Sequence, residues 1–338
     1  DVHHFSAAQL SAAYSSGALS PVVVTSHSVA RMHAWEPRNN AMYRISHDAA
    51  LAAARASEAR WRAGRPLSPL DGVPVTIKEN IATQGDPAPI GTRANADAAP
   101  QPADAPPAAR LREAGCVLLG KTTMPDYGML SSGLSSLHGI TCNPWRLDRN
   151  TSGSSSGAAA AAAAGYAPLH VGTDIGGSVR LPATHCGIFG LKPSFGRVPI
   201  LPPYMGRVAG PMTRTVEDAA LLLNVIARPD ARDFMSMPFE PHDFAELLDE
   251  QAPKRLRIGF LPEIGAGLPA HPEVRAAAES AAQALAGAGC SVELLRPFLT
   301  ETMLDGMCRF FEARSYHDLM QLAPAKRAGV LPFIVEWC

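Results

Sequence analysis

The stretch from Asn150 to Ala183 constrains the fold more than any other part of the chain. It opens with Asn150-Thr151-Ser152-Gly153-Ser154-Ser155-Ser156-Gly157 and runs through seven alanines to Gly165. It closes with Gly172-Thr173-Asp174-Ile175-Gly176-Gly177-Ser178-Val179-Arg180-Leu181-Pro182-Ala183. The alanine run reads as a helix and Leu169-His170-Val171 as a strand, so one short helix and one short strand join two hydroxyl-bearing turns. Glycine accepts backbone angles closed to other residues and lets backbone N–H groups approach a ligand closely. An oxyanion developing during attack on a carbonyl needs donors of that kind.

The chain of 338 residues is long enough for one large domain or two. Hydrophobic residues make up 46% and charged residues 18%, the balance of an ordinary globular protein. A formal net charge of −1 supplies no electrostatic reason to expect nucleic acid or an anionic membrane as partner. No apolar run approaches the ~20 residues that span a bilayer. Asp1-Val2-His3-His4-Phe5 has no basic region followed by an apolar core, so no secretory signal is read there. The cysteines, at 116, 142, 186, 290, 308 and 338, lack the CxxC spacing of zinc and redox motifs. They are expected to be free thiols of a reducing compartment, the cytoplasm.

The first seventy residues read as helical. Ser20-Pro21 resembles an N-cap followed by proline at the first helical position, and Ser46 to Arg62 is a helix stopped at Gly64. Val73 to Lys78 is short and β-branched, hence a strand. Asp86 to Pro107 is loop-like, Ala108 to Ala114 a short helix, and Cys116 to Gly120 an apolar strand. Thr215 caps a helix that runs to about Ala227. Leu256–Phe260, Pro272–Ala286 and Ser291–Leu295 make a β-α-β unit. Alternating strands and helices imply an α/β protein whose mostly parallel sheet is covered on both faces. Sites in such sheets lie off the carboxyl ends of strands. Lys78, the segment after Lys121 and the Asp174–Ser178 turn all fall at strand ends, which predicts one shared cleft.

A lysine at a strand end is ordinarily a solvated surface residue. Lys78, however, closes a strand expected to be buried. A lysine acts as a base only when neutral, and burial lowers its pKa from the usual ~10.4. Glu79 would point to the opposite face of the strand. Ser and Gly also make ordinary turns and caps, but two such turns, each opening onto a helix-like segment, argue for more. Ser178 is expected at a helix N-terminus, where N–H groups and the dipole favour negative charge. Gly153-Ser154-Ser155-Ser156-Gly157 also matches G-x-S-x-G, the nucleophile elbow, which needs a strand directly before it. Asn143 to Asn150 reads as loop, so the elbow is discounted. With it goes a Ser-His-Asp triad built on His170 or His185, which read as structural histidines. No P-loop occurs, and no G-x-G-x-x-G follows a strand.

Gly72-Val73-Pro74-Val75-Thr76-Ile77-Lys78-Glu79-Asn80 and the two serine turns together resemble the amidase signature family. Asn143-Pro144-Trp145, Cys186-Gly187-Ile188-Phe189-Gly190-Leu191-Lys192-Pro193 and Gly196-Arg197-Val198 are similar to it as well. The similarity runs from about Ser6 through Arg228 and more weakly beyond. It implies an α/β fold with a mixed central β-sheet flanked by α-helices on both faces, in a single domain, 1–338. That domain would comprise a helical segment (1–70), a signature core (71–228) and a C-terminal α/β part (229–338). Family members commonly continue well past this length, so the last part is expected to be incomplete.

The resemblance further implies a serine hydrolase with a Ser–Ser–Lys triad, using no histidine, metal or cofactor. Ser178 would be the acylated nucleophile, Ser154 the bridging serine after a cis Gly153–Ser154 peptide, and Lys78 the base. The N–H groups of Ile175, Gly176, Gly177 and Ser178 would form the oxyanion hole. Gly128 matches a substrate-contacting position. Asp174, Arg180 and Ser155 would support the site. Ser152 stands where the family usually has Gly, a small change expected to matter little. Acyl and amine pockets are expected from the loops Met124–Ser136 and Pro202–Arg207.

The first reading is therefore a free-standing amidase that cleaves the C–N bond of a small, linear, non-peptide amide. Its only partner would be that small molecule, with neither nucleic acid nor membrane, and a homodimer is allowed. The second is the glutamine-hydrolysing A-type subunit of a glutamyl-tRNA amidotransferase, which needs a partner protein. Leu181, where that type of chain commonly has glutamine, favours the first. A degenerate, non-catalytic binding module is disfavoured because all three triad residues are present.

Overall fold

The computed structural model describes residues 1–248 and 256–338. They form two compact units, Asp1–Ala245 with Leu322–Glu336, and Glu246–Gln321 with Trp337–Cys338.

The first unit begins with α1 (Ala7–Ser15), α2 (Pro21–Asn39), β1 (Met42–Ile45) and α3 (His47–Arg62). Ser6 caps α1 in a capping box with Gln9. Ser20 accepts the Val22 and Val23 amides ahead of Pro21. Strand β1 corrects the expectation of an all-helical start: Met42–Ile45 pairs antiparallel with β3 (Val117–Thr122) at the sheet edge. Between them in sequence lie β2 (Pro74–Lys78) and α4 (Pro106–Glu113). Two short hairpins follow, β4 (Leu134–Ser135) with β5 (Gly139–Ile140) and β6 (Cys142–Asn143) with β7 (Arg146–Asn150). Then come α5 (Ser156–Ala163), β8 (Leu169–Asp174), α6 (Arg180–Cys186), β9 (Phe189–Gly190), β10 (Val208–Thr213) and α7 (Val216–Ile226).

The central sheet has the order β1-β3-β2-β8-β10-β9. Strands β3, β2 and β8 are parallel, with Ile77 facing Lys121 on one side and Val171 on the other. The outer strands run antiparallel. Helices cover both faces, so the sheet is mixed and doubly covered, as the resemblance implies. On one face Val75, Ile77, Leu118, Leu169 and Val171 meet Leu10 of α1, Leu111 of α4 and Leu222 and Ile226 of α7. On the other, Val117 and Leu119 meet Met32 of α2, Ala50 and Ala54 of α3, and Ala160 and Ala161 of α5.

Burial explains the alanine run. Ala158 to Ala162 are fully enclosed, and a Cβ on Gly157 would stand 2.1 Å from the Ala41 carbonyl and 2.5 Å from the Thr123 amide. At Gly157 the helix lies too close to backbone for even a methyl group, and the enclosed alanines after it sit in a tightly packed interior. Strand β10 is a second element absent from the sequence reading, and it contains Gly210-Pro211, a pair that ordinarily marks a turn. Gly210 is needed there: a Cβ would lie 2.2 Å from the Leu191 carbonyl.

In the second unit β11 (Arg257–Phe260) and β12 (Ser291–Leu294) pair in parallel, linked through α8 (Pro272–Gly287) and followed by α9 (Glu301–Met320). This is the β-α-β unit expected from the sequence. Among the described residues, no helix is long and apolar enough to cross a membrane.

Candidate active site

Three parallel strands end side by side, β2 at Lys78, β3 at Thr122 and β8 at Asp174. The serine turns close over these ends.

The Lys78 side chain is fully buried. Its Nζ lies 2.8 Å from Ser154 Oγ and 3.0 Å from Ser155 Oγ, with the Thr173 carbonyl at 3.5 Å. Ser154 and Ser155 are themselves buried. The Gly153–Ser154 peptide is cis. Ser152 has φ +63°, a left-handed conformation in which glycine carries no strain. Its amide donates to Asn150 Oδ1 at 2.8 Å and its hydroxyl to the Ser131 carbonyl at 3.2 Å.

Ser155 is locked on three sides. Its hydroxyl donates to the Thr173 carbonyl at 3.1 Å and accepts from the Thr173 amide at 3.2 Å. Its own amide donates to the Ser178 carbonyl at 3.1 Å. Residues 146–150, read from sequence as loop, form β7 of an exposed hairpin, which corrects the ground for discounting the nucleophile elbow. The elbow still fails, on a different ground. It needs an exposed serine, whereas Ser155 is fully buried and its proton already has an acceptor.

Ser178 is half-buried and precedes α6, which starts at Arg180 rather than at Ser178. No side-chain hydrogen bond joins Ser154 to Ser178 among the described residues, so the three side chains do not form one continuous chain here. Catalytic hydrogen bonds commonly tighten only once substrate binds. Of the four amides expected to form the oxyanion hole, Gly177 donates to Asp174 Oδ1 at 2.7 Å. Those of Ile175, Gly176 and Ser178 donate to no group among the described residues.

Asp174 is the organiser of this turn. It also accepts the Val179 amide at 3.0 Å and a two-pronged bond from Arg180, at 3.1 and 3.0 Å. Burial pushes its carboxyl up, but the bonds from Arg180, Val179 and Gly177 outweigh burial and hold it below its ordinary value. Gly128 lies against the bridging serine: a Cβ there would stand 3.0 Å from Ser154 Oγ.

The sequence reading missed Thr173, whose backbone holds Ser155 and faces Lys78, and Asn80, which donates to Thr173 Oγ1 at 3.1 Å. Both sit inside quoted motifs, but their contacts depend on strand register. Glu79 does turn away from Lys78. It is fully buried, accepts the Gly91 amide at 2.9 Å and faces His138 Nε2 at 2.9 Å. His170 is also fully buried. Its ring nitrogens meet Thr76 Oγ1 at 2.7 Å and the Ala167 carbonyl at 3.0 Å, and burial pushes its imidazole down to about 3. His185 is exposed, with Nδ1 2.9 Å from the Leu181 carbonyl. Among the described residues, one trio of potential metal ligands, Asp1, His3 and His4, comes together within 4.8 Å. It includes none of Lys78, Ser154 and Ser178.

Comparison with known proteins agrees with this architecture. A family model described as Amidase matches residues 23–333. The chain is 42% identical over 268 residues to the A-type subunit of the glutamyl-tRNA(Gln) amidotransferase of Chloroflexus aurantiacus, covering 77% of this chain and 54% of that protein. It is 41% identical over 300 residues to the protein of the same name from Halorhodospira halophila, covering 86% and 60%. The chain thus spans little more than half the length of these curated relatives. Among solved structures, it matches a bacterial aryl acylamidase of the amidase signature enzymes with a TM-score of 0.90 and 31% identity, over 99% of this chain and 72% of that one. It matches the peptide amidase of Stenotrophomonas maltophilia with a TM-score of 0.80 and 34% identity, over 87% and 62%. Sequence match and fold agree along most of the molecule, and the chain belongs to the amidase signature family.

Proposed function

We propose that this protein hydrolyses the C–N bond of an amide through an acyl-enzyme on Ser178, with Ser154 as proton bridge and Lys78 as base. The observation that carries the reading is the fully enclosed Lys78 amine 2.8 Å from Ser154 Oγ. A neutral amine has two hydrogens and one lone pair. The Ser155 hydroxyl proton is already given to Thr173, so Ser155 and the Thr173 carbonyl can take the two N–H bonds. Ser154, 2.8 Å away, can then donate to the lone pair.

Lys78 takes the Ser154 proton as Ser154 takes the Ser178 proton, and Ser178 Oγ attacks the amide carbonyl. Negative charge on the carbonyl oxygen is met by the amides of Ile175, Gly176 and Ser178. The proton returns along the same path to the leaving nitrogen, because an amine anion is a poor leaving group. Water then enters by the reverse relay and frees the acid and the serine.

Two classes of substrate follow from the observations. Resemblance of the Leu181 position favours a small linear amide. The curated relatives, both named as A-type chains of a glutamyl-tRNA(Gln) amidotransferase, weigh more strongly for glutamine as the amide, with a partner protein receiving the ammonia. An ammonia-release assay over small amides and glutamine, with the chain alone and with candidate partner proteins, separates them. Glutaminase activity that rises only with a partner selects the second reading. Turnover of simple amides by the chain alone selects the first.

A further inference from the structure

Resting on that reading, we propose that Arg207 selects an amide that carries a carboxylate: its guanidinium, stacked on Tyr204 beside the Ser178 turn, binds the carboxylate while the amide carbonyl meets the turn amides. The placement follows from register. Val208 pairs with Asp174 in the β8–β10 ladder, so Arg207, one residue earlier, lies opposite Ile175, where the turn begins. Its neighbour Gly206 comes within reach of the Ile175 side chain, at 3.9 Å from a built Cβ.

The guanidinium carbon sits 4.4 Å from the Tyr204 ring centroid, and the Arg207 amide donates to the Tyr204 carbonyl at 3.1 Å. An arginine stacked on a ring is held in place before ligand arrives, so less freedom is lost on binding. Arg207 also lines a small cavity with Asn80, Ile81, Thr173, Ile200 and Pro202, of about 10 Å³. That is room for one water-sized group, such as a carboxylate oxygen. Among the described residues lining it, Arg207 alone is charged. Asn80 and Thr173 tie this wall to the base, since the Thr173 carbonyl faces Lys78 Nζ. A planar fork beside an apolar wall suits a carboxylate, and free glutamine is one member of the class.

The test compares monoamides of three-, four- and five-carbon dicarboxylic acids with the diamides of the same acids, in which a neutral carboxamide of similar shape replaces the carboxylate, with diamide rates counted per amide. For at least one length, kcat/KM of wild type should favour the monoamide by about tenfold or more, and R207Q should bring the ratio near one. R207K should keep part of the preference, as a point charge without the fork. Equal turnover of both amides by wild type, or an unchanged ratio in R207Q, overturns the proposal. If no amide in the set is turned over, glutarate should slow fluorophosphonate labelling of Ser178 in wild type and not in R207Q. Absence of that protection also overturns it. Failure of wild type to label at all would instead count against the Ser178 reading.

Discussion

Lys78 Nζ and Ser154 Oγ stand 2.8 Å apart, with the lysine wholly enclosed and the serine 3% exposed. An ammonium in that position would be cut off from solvent. The oxygens that Nζ meets on Ser154, Ser155 and Thr173 are two hydroxyls and a carbonyl, all neutral. The amine can serve as a base only in its neutral form.

Activity should therefore rise toward the alkaline side as Lys78 loses its proton, with kcat/KM across pH reporting the free enzyme. Lys78→Ala should remove that limb and most of the rate. His170→Gln and His185→Ala should keep it. The imidazole of His170 lies at about 3 and is satisfied on both nitrogens, so it does not change charge in the working range. A limb that survives in Lys78→Ala and vanishes in a histidine variant contradicts the mechanism.

Gly128 has φ +68° and borders Ser154. Alanine there would meet Ser154 Oγ at 3.0 Å and Met124 Cε at 3.3 Å, and a side chain in the left-handed region costs about 1–2 kcal/mol. Displacing the bridging serine by a few tenths of an ångström should lower kcat/KM by roughly tenfold or more. Circular dichroism should show an intact fold. Wild-type rates in Gly128→Ala would mean that the wall against Ser154 is irrelevant to the relay.

Asp218 yields a prediction about stability. Burial raises its carboxyl to about 6, although the Ala7 amide, at 2.7 Å, and Arg214 oppose the shift. A raised folded-state pKa means that the native state holds the proton more tightly than the unfolded chain. Its contribution is fully present below the ordinary 3.8 and is lost as pH rises through about 6. Asp218→Asn cannot ionise. At pH 7.5 it should be more stable than wild type by ~1–3 kcal/mol, and the difference should close below pH ~4. Denaturant unfolding at the two pH values checks this, and a variant no more stable at pH 7.5 contradicts it.

Much of this site was legible because its residues lie in local patterns. The Gly-Ser turns, the alanine helix between them and the β-branched run ending at Lys78 each signal their own structure. Their meeting follows from the rule that parallel strands present sites at their carboxyl ends. What remained hidden depends on long-range pairing. Nothing local announces that Met42–Ile45 will find β3, or that Gly210-Pro211 will run inside a strand because Leu191 passes too close for a side chain. Likewise, no motif shows that Asp174 takes the Gly177 amide at 2.7 Å and leaves three donors in the turn. That choice is made by Arg180 and the folded turn together.

The central claim is that Ser178 carries the acyl group, and locating a covalent adduct tests it most directly. The protein should be treated with a fluorophosphonate, digested, and its peptides sequenced by mass spectrometry, with Ser178→Ala and Lys78→Ala in parallel. The account predicts one adduct, on Ser178, absent from Ser178→Ala and formed far more slowly in Lys78→Ala. An adduct on Ser154 or Ser155, or labelling that persists in Ser178→Ala, would contradict it.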